Sequence, residues 1–365
     1  MLRYFYYNMV LVMLMNIMIF VPSILIKDRY DGAMMSMLVA IMIGVLMTLA
    51  YMYAFKAFPG QGLPEILSGH VSRWIYTPIL ALFGLIPFIY GLQVLVGYSV
   101  LINRFITPDI ELSHLLLFTS LIVWFGASRS SKTVLIISEI ILVINLPLVL
   151  LILFKALTGD EMNWDAVRTI FHHTRFSPTF RGVSAATFIF AGTIIMTIMN
   201  RLFQVNDIIR FKWLIPVVGT LTLLTSFFIP IGYHGTEGVA TFVYPWITTS
   251  DSMSMEFGFI ERVLFIFSIM YLNLSLLFSI VMWHISAELL KGCFPAKKPN
   301  FDTIETPVFT NIVCGIFVIA SYFYAFLFKE LQFFMIGEGV HKLRFITDIG
   351  LILLLLFLTR RRKQA

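Results

Sequence analysis

Two stretches decide how this chain folds: MNIMIFVPS, residues 15 to 23, and FAGTIIMTIMN, residues 190 to 200. Each lies within an apolar run, yet each carries residues that a membrane helix accommodates poorly. In the first, Asn16 places an amide near the middle of the run. Pro22 follows, and a proline removes a backbone donor and clashes with the preceding turn. In the second, Gly192 lowers the cost of leaving helical geometry and is followed by Thr193, Thr197 and Asn200. Outward from these stretches the apolar runs fall at about 5–26, 34–55, 74–103, 114–127, 134–155, 184–203, 213–234, 258–285, 307–328 and 344–358. A run of roughly 20 residues spans a bilayer as a helix. The pattern predicts ten transmembrane helices in one all-α membrane domain covering 1–365. Ten spans divide into two sets of five, and an odd number per half inverts the second half relative to the first. Spans 1 and 6 then correspond, and both are expected to be interrupted, because unwound backbone at mid-membrane leaves N–H and C=O groups free for a ligand.

Composition supports the same reading. Of 365 residues, 59% are hydrophobic and only 13% charged, and the mean hydropathy is +0.90. A soluble domain carries roughly 25% charged residues, so a water-soluble globule is excluded. The excess of 36 Phe and 19 Met over 6 Trp suits packing against lipid and between helices, and argues against nucleic acid as a partner. The two cysteines, Cys293 and Cys314, offer neither a disulfide framework nor a CxxC metal site. Arg360, Arg361, Arg362 and Lys363 directly follow the last run. They point the C-terminus to the cytoplasm, an even number of spans puts the N-terminus there too, and the basic tail can touch anionic membrane lipid.

Polar side chains within spans are costly unless they face inward, so each is a site candidate. These are Gln93 and Tyr98 in span 3, Asn145 in span 5, and Tyr271, Asn273 and Ser275 in span 8. Glu139 in span 5 is the acid placed well inside a run; it could relay a proton or form an ion pair with Arg129 or Lys132. Asp348 and Arg344 are expected to form a snorkelling pair at the outer end of span 10. HExxH, P-loop, GxSxG and DDxxD signatures are missing, and the adjacent His172 and His173 do not share a helical face, so the expectation is a non-enzyme with no metal and no cofactor.

Several short motifs occur in order. FPGQGLPEIL at 58–67 is followed by Trp74, Tyr244 precedes Pro245, and Ile260, Glu261 and Arg262 open span 8. With ten spans, this combination resembles the endospore germination permeases, the B subunits of spore nutrient germinant receptors, from about residue 10 to 358. The resemblance implies a LeuT-like 5+5 inverted repeat related to amino acid, polyamine and organocation transporters. It also implies residence in the spore inner membrane and assembly with a receptor A subunit and a C-subunit lipoprotein. In such receptors the B subunit is thought to sense an amino acid or similar small nutrient at the broken helices. Gly192 matches the family's glycine in the sixth span. Where the family has a glycine-containing stretch before the span 1 proline, this chain has Met18 and Ile19; where the family has an acid and then a proline after that glycine, it has Ile194 and Asn200.

The candidate ligand-binding residues are therefore Asn16, Ile19 and Pro22 in span 1, Gln93 in span 3, Gly192, Thr193 and Thr197 in span 6, and Asn273 in span 8. Three functions remain open on the sequence: a nutrient-sensing receptor subunit, a proton- or cation-coupled amino acid permease, and a structural subunit without a ligand.

Overall fold

The computed structural model describes residues 2–17, 19–202, 211–254, 262–294, 308–327 and 330–364. Met18, Ile260 and Glu261, each used in the sequence reading, lie outside the described residues. The helices in chain order are α1 (Leu2–Asn16), α2 (Phe20–Lys27), α3 (Ala33–Lys56), α4 (Leu63–His70), α5 (Arg73–Phe105), α6 (Leu112–Ala127), α7 (Ser131–Thr158) and α8 (Trp164–Phe171). They continue as α9 (Phe180–Ala186), a 3-10 helix over Thr187–Ile195, α10 (Met196–Met199), α11 (Leu214–Gly238), α12 (Pro245–Ser252), α13 (Val263–Lys291), α14 (Val308–Leu327) and α15 (Glu330–Gln364). Among the described residues there is no strand; Ser254 and Arg262 form an isolated bridge.

Seven of these helical segments are long and apolar enough to cross a membrane, and the α1/α2 pair makes an eighth if its two halves count as one bent span. α6 has 16 residues, and α15 carries Arg344 and Asp348 within its apolar stretch. The long helices are solutions to one constraint: in hydrocarbon every backbone N–H and C=O must be satisfied inside the segment.

Burial sorts the helices into a centre and a periphery. The apolar stretch of Phe180–Leu202 is 94% buried, those of α13 and α5 are 67% and 61% buried, and those of α7 and α14 only 33%. α13 is the hub, packing on α5, α6, α7, α12 and α14. The peripheral helices turn apolar stripes outward: Leu38, Met42, Leu46, Leu49 and Tyr53 on α3, and Ile312, Ile316, Ile319 and Phe323 on α14. On a soluble protein such contiguous apolar surface would be a liability; here it is the lipid face of an integral membrane protein.

Span 1 breaks as expected. α1 ends at Asn16, α2 begins at Phe20, and their axes differ by 48°. Pro22 sits in the first turn of α2, where its missing N–H costs nothing, and its ring opposes a continuous helix running back through the carbonyl four residues earlier. Span 6 departs from the expectation. Phe180–Leu202 winds through without a break, tightened to 3-10 geometry over Thr187–Ile195. The reason lies in what Gly192 does: a Cβ there would stand 2.8 Å from Met9 Cα and 3.1 Å from the Asn8 carbonyl oxygen. The glycine lets α1 approach span 6 closely and is not a point of unwinding.

Candidate functional site

At the break in span 1 lies a small cavity of about 20 Å³, measured as the space open to the centre of a water-sized sphere. That is room for about one or two waters. Its wall combines Asn16, Ile19 and Phe20 from the two halves of span 1, Tyr90 and Gln93 from α5, Phe188 from the 3-10 segment, Tyr271 from α13 and His341 from α15.

Polar atoms converge on this space. Asn16 is fully buried and, among the described residues, neither atom of its amide has a hydrogen-bond partner, so the orientation of that amide does not matter to the observation. Gln93 donates a long 3.5 Å bond from Nε2 to the Tyr324 hydroxyl, while its Oε1 is buried without a partner. The Tyr90 hydroxyl and His341 Nδ1 lie 3.0 Å apart, leaving His341 Nε2 unpartnered. A buried polar group without a partner forfeits about 1–3 kcal/mol. Three such groups facing one cavity make an arrangement suited to a small polar molecule.

Ile19 limits the space. Its Cδ1 reaches to 2.0 Å from where a Cβ on Gly97 of α5 would stand, with the Tyr271 hydroxyl 3.3 Å from the same point. The side chain fills the notch that Gly97 leaves in α5.

A second, smaller space of about 10 Å³ adjoins the first. Tyr90 and Phe188 border both; their rings stack at 5.0 Å, and Phe188 meets the His341 ring edge-on at 5.1 Å. Beyond this aromatic partition the lining includes Thr193, Ile194, Arg344 and Asp348.

The sequence candidates therefore separate. Asn16, Ile19 and Gln93 line the first cavity and Thr193 the second. Pro22 is buried in α2 and lines neither, and Gly192 faces α1. Thr197 turns its hydroxyl back onto the Ile194 carbonyl at 2.6 Å. Asn273, half-buried, donates to Asn145 Oδ1 at 3.3 Å, joining α13 to α7. Glu139 lies 3.0 Å from Arg3, the first cation of span 1, where the sequence expected Arg129 or Lys132.

Arg344 and Asp348 do pair, 3.2 Å apart, but the expected snorkelling geometry is corrected: both are buried, because the last helix starts at Glu330 and carries them well inside. Tyr90, Phe188 and His341 were missed altogether. One signal was legible: His341, Arg344 and Asp348 fall at i, i+3 and i+7 on one helical face.

One end of the bundle carries an ionic knot. Arg201, at the end of span 6, contacts Glu65 of α4 twice, at 2.7 and 3.0 Å, and Glu288 of α13 at 2.8 Å. The Thr310 hydroxyl of α14 donates to Glu288 at 3.0 Å. Beside it the Asn200 amide donates to the carbonyls of Phe58 and Gln61 at 2.8 and 2.7 Å. Among the described residues no cluster of three or more His, Cys, Asp or Glu could hold a metal ion.

A broken first span, a central cavity and an apolar outer face are what a permease-like bundle requires. The family model described as spore germination protein matches residues 5–330. The chain belongs to that family. Among curated proteins none matches it. The match covers both stretches that opened the sequence reading and stops where α15 begins, so His341, Arg344 and Asp348 lie beyond it. This is a germination-related membrane protein.

Proposed function

We propose that this chain is the membrane subunit of a spore nutrient germinant receptor, and that it senses a small nutrient such as an amino acid at the break in span 1. The observation that carries this reading is Asn16: a fully buried amide with both polar atoms unpartnered, at the end of a half-helix, facing a cavity shared with Gln93 and His341. The cavity is too small for a nutrient in the closed form, so binding goes with outward movement of span 1 or of Ile19, and the ligand favours that conformer by its differential affinity. With this reading go the features that the resemblance implies: a LeuT-like arrangement of ten spans, residence in the spore inner membrane with both termini cytoplasmic, and partnership with an A subunit and a C-subunit lipoprotein. A coupled permease of the same nutrient is the second reading, favoured by the ionisable groups of α15 one aromatic layer from the cavity.

The test compares spores carrying the native chain with spores carrying Asn16→Leu, across a panel of single nutrients, with immunoblots to show equal accumulation. Loss of the response to one nutrient at unchanged protein level is the expected result. Unchanged responses to every nutrient would remove the site from span 1.

A further inference from the structure

The inner face of α15 carries three ionisable or charged side chains, His341, Arg344 and Asp348, at most 7% exposed. Charges inside a membrane bundle are costly, and those retained mark ion or proton pathways more often than structure alone requires. The geometry here is specific. Arg344 Nη1 lies 3.2 Å from Asp348 Oδ2, while Arg344 Nη2 donates to the Ser184 carbonyl at 2.9 Å and to the Thr187 hydroxyl at 2.8 Å. One guanidinium is thus shared between its own helix and the outer half of span 6. Asp348 depends for its charge balance on a group that span 6 holds by two bonds.

Among the described residues, the other elements packed here offer no replacement cation. α3 contributes the buried Tyr51, and α5 presents Tyr90, which pairs with His341. The 3-10 segment presents Thr193 and Phe188, α1 presents Val12, and α13 presents Phe278 and Met282. Farther out, Arg181 is engaged with Glu338 at 3.0 Å and Asp28 at 3.6 Å. A shift of span 6 relative to α15 either breaks the two bonds from Arg344 to Ser184 and Thr187 or draws the guanidinium away from Asp348, and in the second case a carboxylate left in a low-dielectric cavity without its cation takes a proton.

We propose that Asp348 is a proton-binding site whose occupancy is coupled to the position of span 6 through Arg344. The step is a proton transfer from water to a carboxylate oxygen of Asp348 as the ion pair separates; re-pairing returns the proton to water. By linkage, acid favours the conformer in which the pair is apart. The site holds whether or not a nutrient binds at span 1, and it places ionisable chemistry in the bundle centre, away from Glu139.

The test is an infrared pH titration of the purified full chain in lipid nanodiscs, following the C=O stretch of protonated carboxyl groups from pH 8 to pH 5, a range in which exposed carboxylates stay mostly ionised and the Asp348→Asn difference isolates the band. The expected result is a band that grows with acidification, is absent in Asp348→Asn and persists in Glu288→Gln. If Asp348→Asn does not accumulate folded, Asp348→Glu must displace the band. Thr187→Val, which frees Arg344 from span 6 and leaves it to Asp348, is expected to move the midpoint toward acid by about one pH unit, tenfold in proton affinity. No band, or a band unchanged by both Asp348 substitutions, overturns the site; an unchanged midpoint in Thr187→Val overturns its coupling to span 6.

Discussion

Ile19 and Gly97 show how much of a site can rest on a single contact. The Ile19 side chain occupies the notch at Gly97 so closely that a methyl group at residue 97 would collide with Cδ1. Gly97→Ala is therefore expected to destabilise the chain by about 1–3 kcal/mol, the usual cost of overpacking, and Ile19→Ala in the same chain is expected to recover most of that loss. Thermal unfolding of the detergent-solubilised protein measures both, and a double variant no more stable than Gly97→Ala would show that the two side chains are not in contact. The sequence made the lack of a glycine at Met18 and Ile19 visible, because the family pattern has one there. Its partner Gly97 was not visible, since nothing local to α5 says which helix faces it. His341 was equally hidden: a histidine ahead of a hydrophobic run reads as a loop residue until the helix is known to begin eleven residues earlier, at Glu330.

Among the elements, spans 1 and 6 looked alike in sequence and fold differently. Proline acts locally through a missing donor and a steric clash, so the break before Pro22 was legible from the chain alone. Glycine has two uses, and sequence cannot tell the freedom to unwind from the room for a neighbour. At Gly192 the neighbour decides it, with the α1 backbone within 3.1 Å of a Cβ position. Gly192→Ala should push α1 away from span 6 and cost about 1–3 kcal/mol. Because Gly192 faces α1 and lines neither cavity, the nutrient selectivity of germination should stay unchanged at equal protein level. A selective loss of one nutrient response in Gly192→Ala spores, without loss of protein, would instead put this glycine in the ligand site. The boundary of α15 was misread for a different reason: Glu338, His341, Lys342 and Arg344 depress hydropathy in a helix that packs on spans 1, 2, 3 and 6, so polarity that serves the site looked like a loop.

Across the whole molecule, one arginine ties the ends of spans 6 and 8 to the loop helix α4, and Thr310 at the start of α14 joins them through Glu288. Glu65 caps its own helix, accepting from the Gly62 N–H at 2.8 Å, and pairs with Arg201 at the same time. The local half of that arrangement was visible in the sequence as a helical stretch after Pro64; the other half joins residues 136 positions apart and required the fold. Arg201 and Glu288 are both buried, with side chains 6% and 8% exposed, so the knot obeys the logic of interior ion pairs, in which desolvation offsets most of the attraction. Removing one partner strands the others, whereas replacing the whole set by apolar groups of similar volume is close to neutral. Arg201→Met alone is expected to cost about 3–5 kcal/mol, because Glu65 then lacks its cation and buried Glu288 keeps only Lys291, 3.7 Å away. The combination of Arg201→Met, Glu65→Met and Glu288→Met is expected to return most of that stability. If the knot holds the inner side shut, the triple variant should also loosen control, germinating in the absence of nutrient while the native chain does not. Unfolding midpoints of the single and triple variants, read beside the nutrient-independent germination of matched spores, separate the two effects. A triple variant as unstable as Arg201→Met would refute the account of the knot's energetics, and a stable triple variant that stays dormant without nutrient would show that the closure it provides is structural and not part of the switch.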